Sequence, residues 1–291
     1  MSNRTSSIRH ESFNYPGGDP FLVLNIRSQI DNPEKLLNHW HEELELAYSF
    51  YGRAIHRIDG ETVECIPGRL IVTNPESVHG IIPAAENDAR RELCSVVILL
   101  SPAFLEQYFP EYRQIRFINQ KRQASFEIRE ICEKLSAYAR WSEHTPDDKR
   151  YAQALIAELL YFAKKEDSAP RNEIETPGGI RKTERLKVVL QYIEEHYTEP
   201  ITLSDVSALH YFNQEYFSRY FKKNIGISFS SYLRQYRLRA ARKELLTTDK
   251  SITEIALHAG FSDERALIKA FKQQYDQTPL QYRKSIKSGA F

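Results

Sequence analysis

A repeated pattern in the C-terminal third constrains the fold of this 291-residue chain more than any other feature. The segment FKKNIGISFSSY (221–232) matches FKQQYDQTPLQY (271–282) at an offset of 50 residues, and LSDVS (203–207) matches ITEIA (252–256) at an offset of 49. Two copies of one pattern indicate a supersecondary unit that occurs twice. The difference in offset predicts one extra residue in the turn of the second copy, near Gly260.

Each copy opens with the pattern of a helix start. Thr202 with Asp205, and Ser251 with Glu254, have the spacing of a capping box, in which a hydroxyl and a carboxylate satisfy the first free amides of a helix. In the second copy, Gly260 can take the left-handed conformation that a sharp corner needs. We therefore expect each copy to contain two short helices joined by a tight turn.

The second helix of each copy has its own predicted N-cap, Asn213 in the first copy and Ser262 in the second. Two helices joined by a short turn describe a helix-turn-helix, and the second helix of such a unit fits the major groove of DNA. The exposed face of this helix therefore holds the candidate DNA contacts. They are Gln214, Glu215, Ser218, Arg219 and Lys222 in the first copy, and Asp263, Glu264, Arg265, Ile268, Lys269 and Lys272 in the second.

A basic segment between the copies predicts a connecting helix. Residues 229–247 follow a Ser228 cap and would span roughly 28 Å at 1.5 Å per residue, which approaches the ~34 Å turn of B-DNA. Arg234 and Arg237 are among its basic side chains, which we expect to be available to phosphates. Residues 181–291 carry 19 Lys and Arg against 12 Asp and Glu, a net charge of +7, whereas residues 1–180 carry −6. This asymmetry predicts a polyanionic partner for the C-terminal third.

Residues 183–285 resemble the DNA-binding domain of AraC/XylS-type transcription regulators. The resemblance rests on VSALHYFNQEYFSRYFKKNIGISFSSYLRQYRLRAARKELL and on ITEIALHAGFSDERALIKAFKQQYDQTPLQYR, whose IA, GFSD, FK, TP and YR form a specific skeleton. It implies seven helices, two helix-turn-helix units and contact of one subunit with two adjacent major grooves. The sequence departs from the family pattern at Ile268, where a small polar residue is usual, and at Asp276, where Gly is frequent. Ile268 could instead contact a thymine methyl group.

Residues 20–100 have the pattern of a β-rich domain. Short apolar stretches such as FLVLNI, LELAYSFY and CSVVILL alternate with turn signals such as IDGE, IPG and NPES, which indicates a sandwich or a small barrel. Segments 124–140 and 147–165 are amphipathic helices that form a dimer contact, or pack on the barrel or on the DNA-binding domain. Residues 166–180, rich in Pro, Gly and charge, predict a linker.

The run NHWHEELELAYSFYG is the main candidate site of the N-terminal part. His39, His41 and Glu45 would share one face of a strand, and His79 could supply a further imidazole from another strand. These residue types bind Zn, Fe, Mn or Ni, and the run resembles the first motif of cupins. The second cupin motif departs, because His79 follows Gly68 by eleven residues rather than three.

AraC-type regulators with a cupin-like N-terminal domain often carry a similar run. The resemblance implies that these residues bind a small effector, frequently a sugar, and no metal or other cofactor is expected. Two other readings stay open, a metal ion held by His39, His41, Glu45 and His79, and a purely structural role for the histidines. Arg27 and Tyr48 are further candidates for the effector pocket if they face inward.

The sequence therefore predicts an α+β chain of two domains. A cupin-like β-barrel with added helices occupies 1–165 and serves effector binding and dimerisation, 166–180 is a linker, and an all-α AraC-type DNA-binding domain occupies 181–291. Its two helix-turn-helix units are joined by a linker helix.

The predicted function is a sequence-specific transcription regulator, more often an activator in this family, and not an enzyme. Its expected partners are double-stranded promoter DNA, a small-molecule effector, RNA polymerase and a second copy of the chain. Two alternatives stay open. One is a metal-binding cupin enzyme tethered to a DNA-binding module, and the other is a regulator whose N-terminal domain only dimerises.

The cysteine pattern and the absence of long apolar runs favour a cytoplasmic protein. Cys65, Cys94 and Cys132 are widely spaced and form neither a metal pattern nor a disulfide framework. No run of about 18 apolar residues indicates a membrane span, and the first residues lack the apolar stretch of a signal peptide.

Overall fold

The structure is a computed structural model that describes residues 15, 19–29, 38–83, 92–175, 177–209 and 213–287. These residues belong to two compact units that divide between Lys187 and Val188. The first unit combines strands with helices, and the second is helical. No helix of the described residues has both the length and the apolar character to cross a membrane.

Strands make up most of residues 21–100 in the first unit, as the sequence predicts. They are β1 (Phe21–Gln29), β2 (Leu44–Tyr51), β3 (Ala54–Ile58), β4 (Glu61–Cys65), β5 (Leu70–Thr73), β6 (His79–Pro83) and β7 (Glu92–Leu100). A four-stranded sheet has the order β1-β7-β2-β5, and a three-stranded sheet has the order β4-β3-β6. Neighbouring strands in both sheets are antiparallel.

Strand β2 shows how the side chains divide between the two faces of its sheet. Successive side chains of a strand point to opposite faces, and Leu44, Leu46 and Tyr48 are buried in the apolar cluster that includes the covering helices. Glu45 and Ser49 belong to the other face, where the Ser49 Oγ atom lies 2.7 Å from the Cys65 Sγ atom of β4. The four-stranded sheet is therefore apolar on one face and carries polar side chains toward the three-stranded sheet.

Helices cover the apolar face of the four-stranded sheet. They include α1 (Pro102–Tyr108), a short 3-10 turn (Pro110–Arg113), α2 (Phe126–Tyr138) and α3 (Pro146–Asp167). Ser101 caps α1, because its hydroxyl accepts a hydrogen bond from the Phe104 amide. Ile131 and Leu135 of α2 and Leu159 of α3 are buried in the same cluster as the sheet. The amphipathic faces predicted for α2 and α3 are thus confirmed, and they pack on the sheet.

The segment expected as a linker, residues 166–180, contains regular structure. Helix α3 continues to Asp167, β9 (Ser168–Pro170) pairs antiparallel with β8 (Ile115–Phe117), and a short α4 (Arg171–Ile174) follows. Pro, Gly and charged residues suggested an irregular chain, but pairing with β8 satisfies the backbone groups of β9. That this segment links the two domains stays a prediction.

Helices alone form the described part of the second unit. They are α5 (Pro177–His196), which begins in the first unit, α6 (Leu203–Leu209), α7 (Gln214–Ile225), α8 (Phe229–Thr247), α9 (Ile252–His258), α10 (Glu264–Tyr275) and α11 (Pro279–Lys287). Helices α6 with α7, and α9 with α10, form the two predicted pairs. Helix α8 has the 19 residues expected of the connecting helix.

The ends of these helices follow the predicted local chemistry. Thr202 with Asp205 before α6, and Ser251 with Glu254 before α9, form reciprocal hydrogen bonds of 2.8 to 3.3 Å. Helices α7 and α10 both end on a residue with a left-handed backbone, Gly226 with φ of 90° and Asp276 with φ of 55°. Asp276 takes the place of Gly because a short polar side chain tolerates this conformation better than most.

Gly260, in the turn between α9 and α10, lies against the chain that precedes α6. Its φ is +80°, and a Cβ atom placed there would lie 2.7 Å from the Thr198 Cα atom and closer still to the Tyr197 carbonyl oxygen. The glycine therefore meets two needs at once, a left-handed backbone and close contact between two turns. This contact joins the second helix pair to the chain leading into the first.

We expect Gly260→Ala to lower the free energy of unfolding of the second unit by roughly 3 kcal/mol, since both strain and overlap result. Gly226→Ala is the matched control, with a similar φ at the end of α7, and should cost about 1 kcal/mol. Thermal unfolding followed by circular dichroism measures both. Equal losses of unfolding free energy in the two variants would mean that the contact with Tyr197 and Thr198 contributes nothing to stability.

Candidate functional site

Helix α7 presents the exposed face of the first helix-turn-helix unit. Asn213 caps it, as predicted, because its Oδ1 atom accepts hydrogen bonds from the backbone amides of Glu215 and Tyr216 at 3.0 and 3.1 Å. Phe217 and Phe221 are fully buried on the opposite side. The side chains predicted to face DNA are all exposed, namely Gln214, Glu215, Ser218, Arg219 and Lys222.

Helix α10 holds the same place in the second unit, but its cap differs from the prediction. The Asp263 Oδ1 atom accepts a hydrogen bond from the Ala266 amide at 2.8 Å, so the expected Ser262 cap is wrong. Asp263 lies opposite Asn213 at the offset of 50, whereas Ser262 follows the offset of 49 found upstream. Of the remaining predicted contacts, Arg265, Lys269 and Lys272 are exposed and Ile268 is half-buried.

Two acidic side chains predicted to face DNA have structural partners. Asp263 caps α10, and Glu264 accepts a hydrogen bond from the Thr253 hydroxyl of α9. Both carboxylates would also repel DNA phosphates, so the structure favours structural roles, in which Asp263 starts α10 and Glu264 links it to α9. Glu215 has no such role in α7 beyond its place in the first turn, where the helix dipole favours negative charge, and it stays a predicted contact.

A cleft of about 780 Å³ separates the two helix-turn-helix units along α8. Ser218 of α7, Arg234 of α8, and Lys269 and Gln273 of α10 are among the residues that line it. Arg234 and Lys269 are exposed, so the cleft is basic and suits a sugar-phosphate backbone. The sequence reasoning missed Gln273, although it follows Lys269 by four residues, a spacing that places both on one helix face. Tyr216 was also missed, and 46% of it is exposed on α7.

Arg237 has a different place from the one predicted. Its Nε and Nη2 atoms donate hydrogen bonds to the carbonyl oxygens of Tyr197 and Glu199 at 2.7 and 2.6 Å, and partial burial lowers its pKa. Two of its donors are therefore used within the protein, and since the side chain also lines the cleft, its contact with phosphates stays a prediction. Positive charge on α8 predicted a phosphate contact, but the sequence could not show that the turn before α6 folds back onto this helix.

The histidines of the N-terminal run meet at one end of the two sheets. His39 pairs with His79 through two backbone hydrogen bonds of 2.8 Å, and one ring nitrogen each of His39, His41 and His79 lie within 4.8 Å of one another. The Glu45 carboxylate lies 3.4 Å from the His41 Nε2 atom and 3.8 Å from the His79 Nε2 atom. The structure therefore brings together all four residues that the sequence proposed, including His79 despite its unusual spacing.

Backbone carbonyl groups fix the orientation of two of these imidazoles. The His41 Nδ1 atom lies 3.2 Å from the Glu43 carbonyl oxygen, and the His79 Nδ1 atom lies 2.9 Å from the Ser77 carbonyl oxygen. A carbonyl oxygen only accepts, so Nδ1 donates in both rings. The two Nε2 atoms consequently face Glu45. The buried Glu43 side chain, which the sequence reasoning missed, also lies 3.6 Å from the His41 ring.

The electrostatics of this cluster favour an ionised carboxylate. Burial alone would raise the pKa of Glu45, but the adjacent imidazoles of His41 and His79 outweigh it and hold the pKa well below its usual range. For His79, burial lowers the pKa, and the contact with Glu45 outweighs it and raises the pKa. His56 of β3 behaves in the opposite way, since burial lowers its pKa to about 4 and leaves the ring neutral at pH 7.

Tyr48 does not join this cluster. It is buried on the opposite face of β2 from Glu45, in the core between the sheet and the helices, and its ring centroid lies 5.2 Å from that of Phe50. Strand alternation already assigns residues 45 and 48 to opposite faces, so the expectation of Tyr48 as an effector contact is wrong. Arg27 lies on β1, and its side chain falls outside what the structure describes.

Comparisons with known proteins match both units. Residues 33–160 match the model of the AraC-like ligand binding domain, and residues 206–285 match a helix-turn-helix domain model. Proteins that carry a ligand-binding domain followed by a DNA-binding domain on one chain form the class of ligand-responsive transcription regulators. Within that class, the chain belongs to the AraC family of DNA-binding transcription regulators.

Curated relatives and solved structures were found for each part of the chain. Regulatory protein PocR of Salmonella typhimurium is 33% identical over 140 residues, which cover 47% of this chain and 46% of PocR. The uncharacterized HTH-type transcriptional regulator YdeC of Bacillus subtilis is 23% identical over 84% of this chain and 85% of its own length. A solved structure of ToxT from Vibrio cholerae covers 91% of this chain and 98% of its own, at 13% identity and a TM-score of 0.45.

We expect Arg237→Ala to destabilise the second unit by about 2–3 kcal/mol, because two carbonyl groups lose a charged donor. Arg234→Ala, on the exposed side of the same helix, should change stability by less than about 0.5 kcal/mol and weaken DNA binding instead. Urea unfolding followed by circular dichroism separates the two variants. An Arg237→Ala protein as stable as the wild type would contradict the structural role assigned to this side chain.

Proposed function

We propose that the chain regulates transcription by binding promoter DNA through both helix-turn-helix units, under control of a small molecule bound in its N-terminal domain. The observation that carries the proposal is the pair of capped recognition helices, α7 and α10, whose basic and polar side chains stay exposed beside a basic cleft. The relatives reported above are regulators, which supports regulation rather than catalysis.

The proposed DNA contacts are the predicted side chains of α7, α8 and α10 that have no structural role in the second unit, together with Gln273 of the cleft. Arg219 of α7, and Arg265 and Lys269 of α10, suit guanine edges or phosphates. Ile268 suits a thymine methyl group, and Arg234 suits a phosphate. The full set is Gln214, Glu215, Ser218, Arg219, Lys222, Arg234, Arg265, Ile268, Lys269, Lys272 and Gln273.

The proposed effector binds among polar side chains of the first unit, next to the predicted contacts His39, His41, Glu45 and His79. Ser49, His56 and Ser95 are buried polar residues on strands of the first unit, at 1%, 3% and 4% exposure. The hydroxyl groups of Ser49 and Ser95 lie 3.3 Å apart. Such side chains offer donors and acceptors to a hydroxyl-rich molecule, which supports a sugar as effector.

Control requires that the effector favour one arrangement of the two domains. The proposed boundaries are 1–165 for the effector and dimerisation domain, 166–180 for the linker and 181–291 for the DNA-binding domain. Activation is the proposed outcome, through contact with RNA polymerase at the promoter. The proposed location is the cytoplasm, where the buried free thiols of Cys65, Cys94 and Cys132 would stay reduced.

The proposed dimer contact is the outer face of α3. Tyr151 and Tyr161 are 51% and 59% exposed on this helix, and Ala154 and Ala157 between them are exposed as well. The opposite face of α3 is already buried against the sheet. Aromatic side chains beside small ones are typical of the centre of a protein interface.

Binding-site selection with the full-length protein on random duplex DNA should yield two short sequence blocks about 10 bp apart. Arg219→Ala should relax the specificity of one block and Lys269→Ala that of the other, each weakening binding by about 1–3 kcal/mol if the contact is to a base. Arg140→Ala, an exposed arginine of the first unit, is the control. Salt-sensitive binding without a sequence motif would refute sequence-specific recognition.

Sedimentation equilibrium tests the dimer contact. Tyr161→Glu should weaken the dimer by about tenfold or more, because an exposed aromatic anchor becomes a charge in a desolvated interface. Tyr108→Glu, at a tyrosine of α1 that is 46% exposed, should leave the dimer unchanged. A dimer of normal strength in the Tyr161→Glu protein would place the interface elsewhere.

A further inference from the structure

We propose that the N-terminal domain binds one divalent first-row transition-metal ion through His39, His41, His79 and Glu45. The inference rests on the proposed function, because it names a ligand for the ligand-binding domain. It departs from the expectation of a metal-free domain that the family resemblance implied. Four observations support it. They are the types of donor atom, the distances between these atoms, the orientation of the imidazole rings and the rigidity of the backbone that carries them.

The donors suit such an ion. Three imidazoles and one carboxylate are nitrogen and oxygen ligands of the kind that Zn, Fe, Co and Ni accept, whereas Ca and Mg prefer sites made of oxygen alone. His41 and His79 are nearly fully buried, at 1% and 3% exposure. A cluster of surface histidines gathered by chance would remain hydrated, and this one does not.

The distances match those between ligands of one ion. Two donor atoms bound to a tetrahedral ion at about 2.1 Å each are about 3.4 Å apart. The Glu45 carboxylate lies 3.4 Å from the His41 Nε2 atom and 3.8 Å from the His79 Nε2 atom. The three histidine nitrogens lie within 4.8 Å of one another. Ring rotations that move each nitrogen by about 1 Å would place all three at bonding distance from one ion.

The orientation of the rings points in the same direction. Because Nδ1 donates to a backbone carbonyl in His41 and His79, a neutral ring places the Nε2 lone pair toward Glu45. Among the described residues, the buried Nε2 atom of His79 has no hydrogen-bond partner. Without a metal ion, a proton on the His79 Nε2 atom offsets the charge of Glu45. A metal ion in place of that proton would bond to both the imidazole and the carboxylate. Metal-bound histidines usually carry such a hydrogen bond on the other ring nitrogen.

The backbone holds the donors on rigid elements. His39 and His79 are joined by a pair of 2.8 Å hydrogen bonds, and the His41 carbonyl oxygen accepts a 2.7 Å bond from the Glu76 amide. Glu45 lies on β2, which pairs with strands on both sides. Little ordering is then needed when an ion binds, which favours affinity.

The test uses the full-length protein after dialysis against a chelator. Titration with Co²⁺ followed by visible absorption, and with Zn²⁺ followed by calorimetry, should show one ion per chain and a higher melting temperature. Glu45→Gln keeps the shape of the side chain and should weaken binding by about tenfold or more, and His79→Ala should weaken it by about 100-fold or more. His258→Ala, an exposed histidine of the second unit, is the control and should bind as the wild type does.

Circular dichroism of each metal-free variant checks that it is folded, and DNA binding is measured on the same preparations. A wild-type protein that binds DNA but no metal overturns the metal site and leaves the regulator intact. Glu45→Gln and His79→Ala proteins with wild-type affinity for Co²⁺ also overturn it, because the ion then binds elsewhere. Failure of the wild type to bind any DNA, with Co²⁺ bound at these residues, refutes the regulator alone.

Discussion

The contact of α8 and the Gly260 turn with the chain before α6 holds the second unit together. Arg237 donates to the carbonyl groups of Tyr197 and Glu199, and Gly260 packs beside it against Tyr197 and Thr198. A long helix alone fixes the distance between the two helix pairs, but it leaves their rotation about its axis free. These contacts remove that freedom, so α7 and α10 keep one orientation across the cleft.

The first unit depends on a different constraint, the two faces of β2. Residues 44, 46 and 48 bind the helices to the sheet, while residues 45 and 49 carry polar groups to the other side. One strand thereby supplies both the core and the site. A shift of its pairing by one residue would exchange the two faces and move the polar groups into the core. The packing of residues 44, 46 and 48 therefore fixes the register that also positions the site.

Much of this was predictable because it depends on local chemistry. Thr202, Ser251 and Asn213 cap their helices as their spacing requires, and α8 has its predicted length. The errors arose where the outcome depends on residues far apart in sequence. Arg237 resembled any other basic residue on α8 until the turn at 197–199 folded onto it, and the segment at 166–180 acquired a strand only because β8 was available.

The sequence identified the residues of the candidate site in the first unit, but not their arrangement. His39, His41 and Glu45 are close in sequence, and His79 was proposed as a partner from another strand. The spacing after Gly68 argued against a metal, yet the bridge to His39 brings His79 into place. Tyr48 is the opposite case, since strict alternation would have excluded it without a structure.

The two helix pairs are tandem copies in the sequence, and their exposed side chains have diverged. Helix α7 exposes Gln214, Ser218 and Arg219, whereas α10 exposes Arg265 and Lys269 beside Ile268. A DNA site bound by such a pair differs between its two ends. Under the proposed function, one subunit distinguishes the two directions along the duplex, so inverting its site would reverse the order in which α7 and α10 meet the sequence.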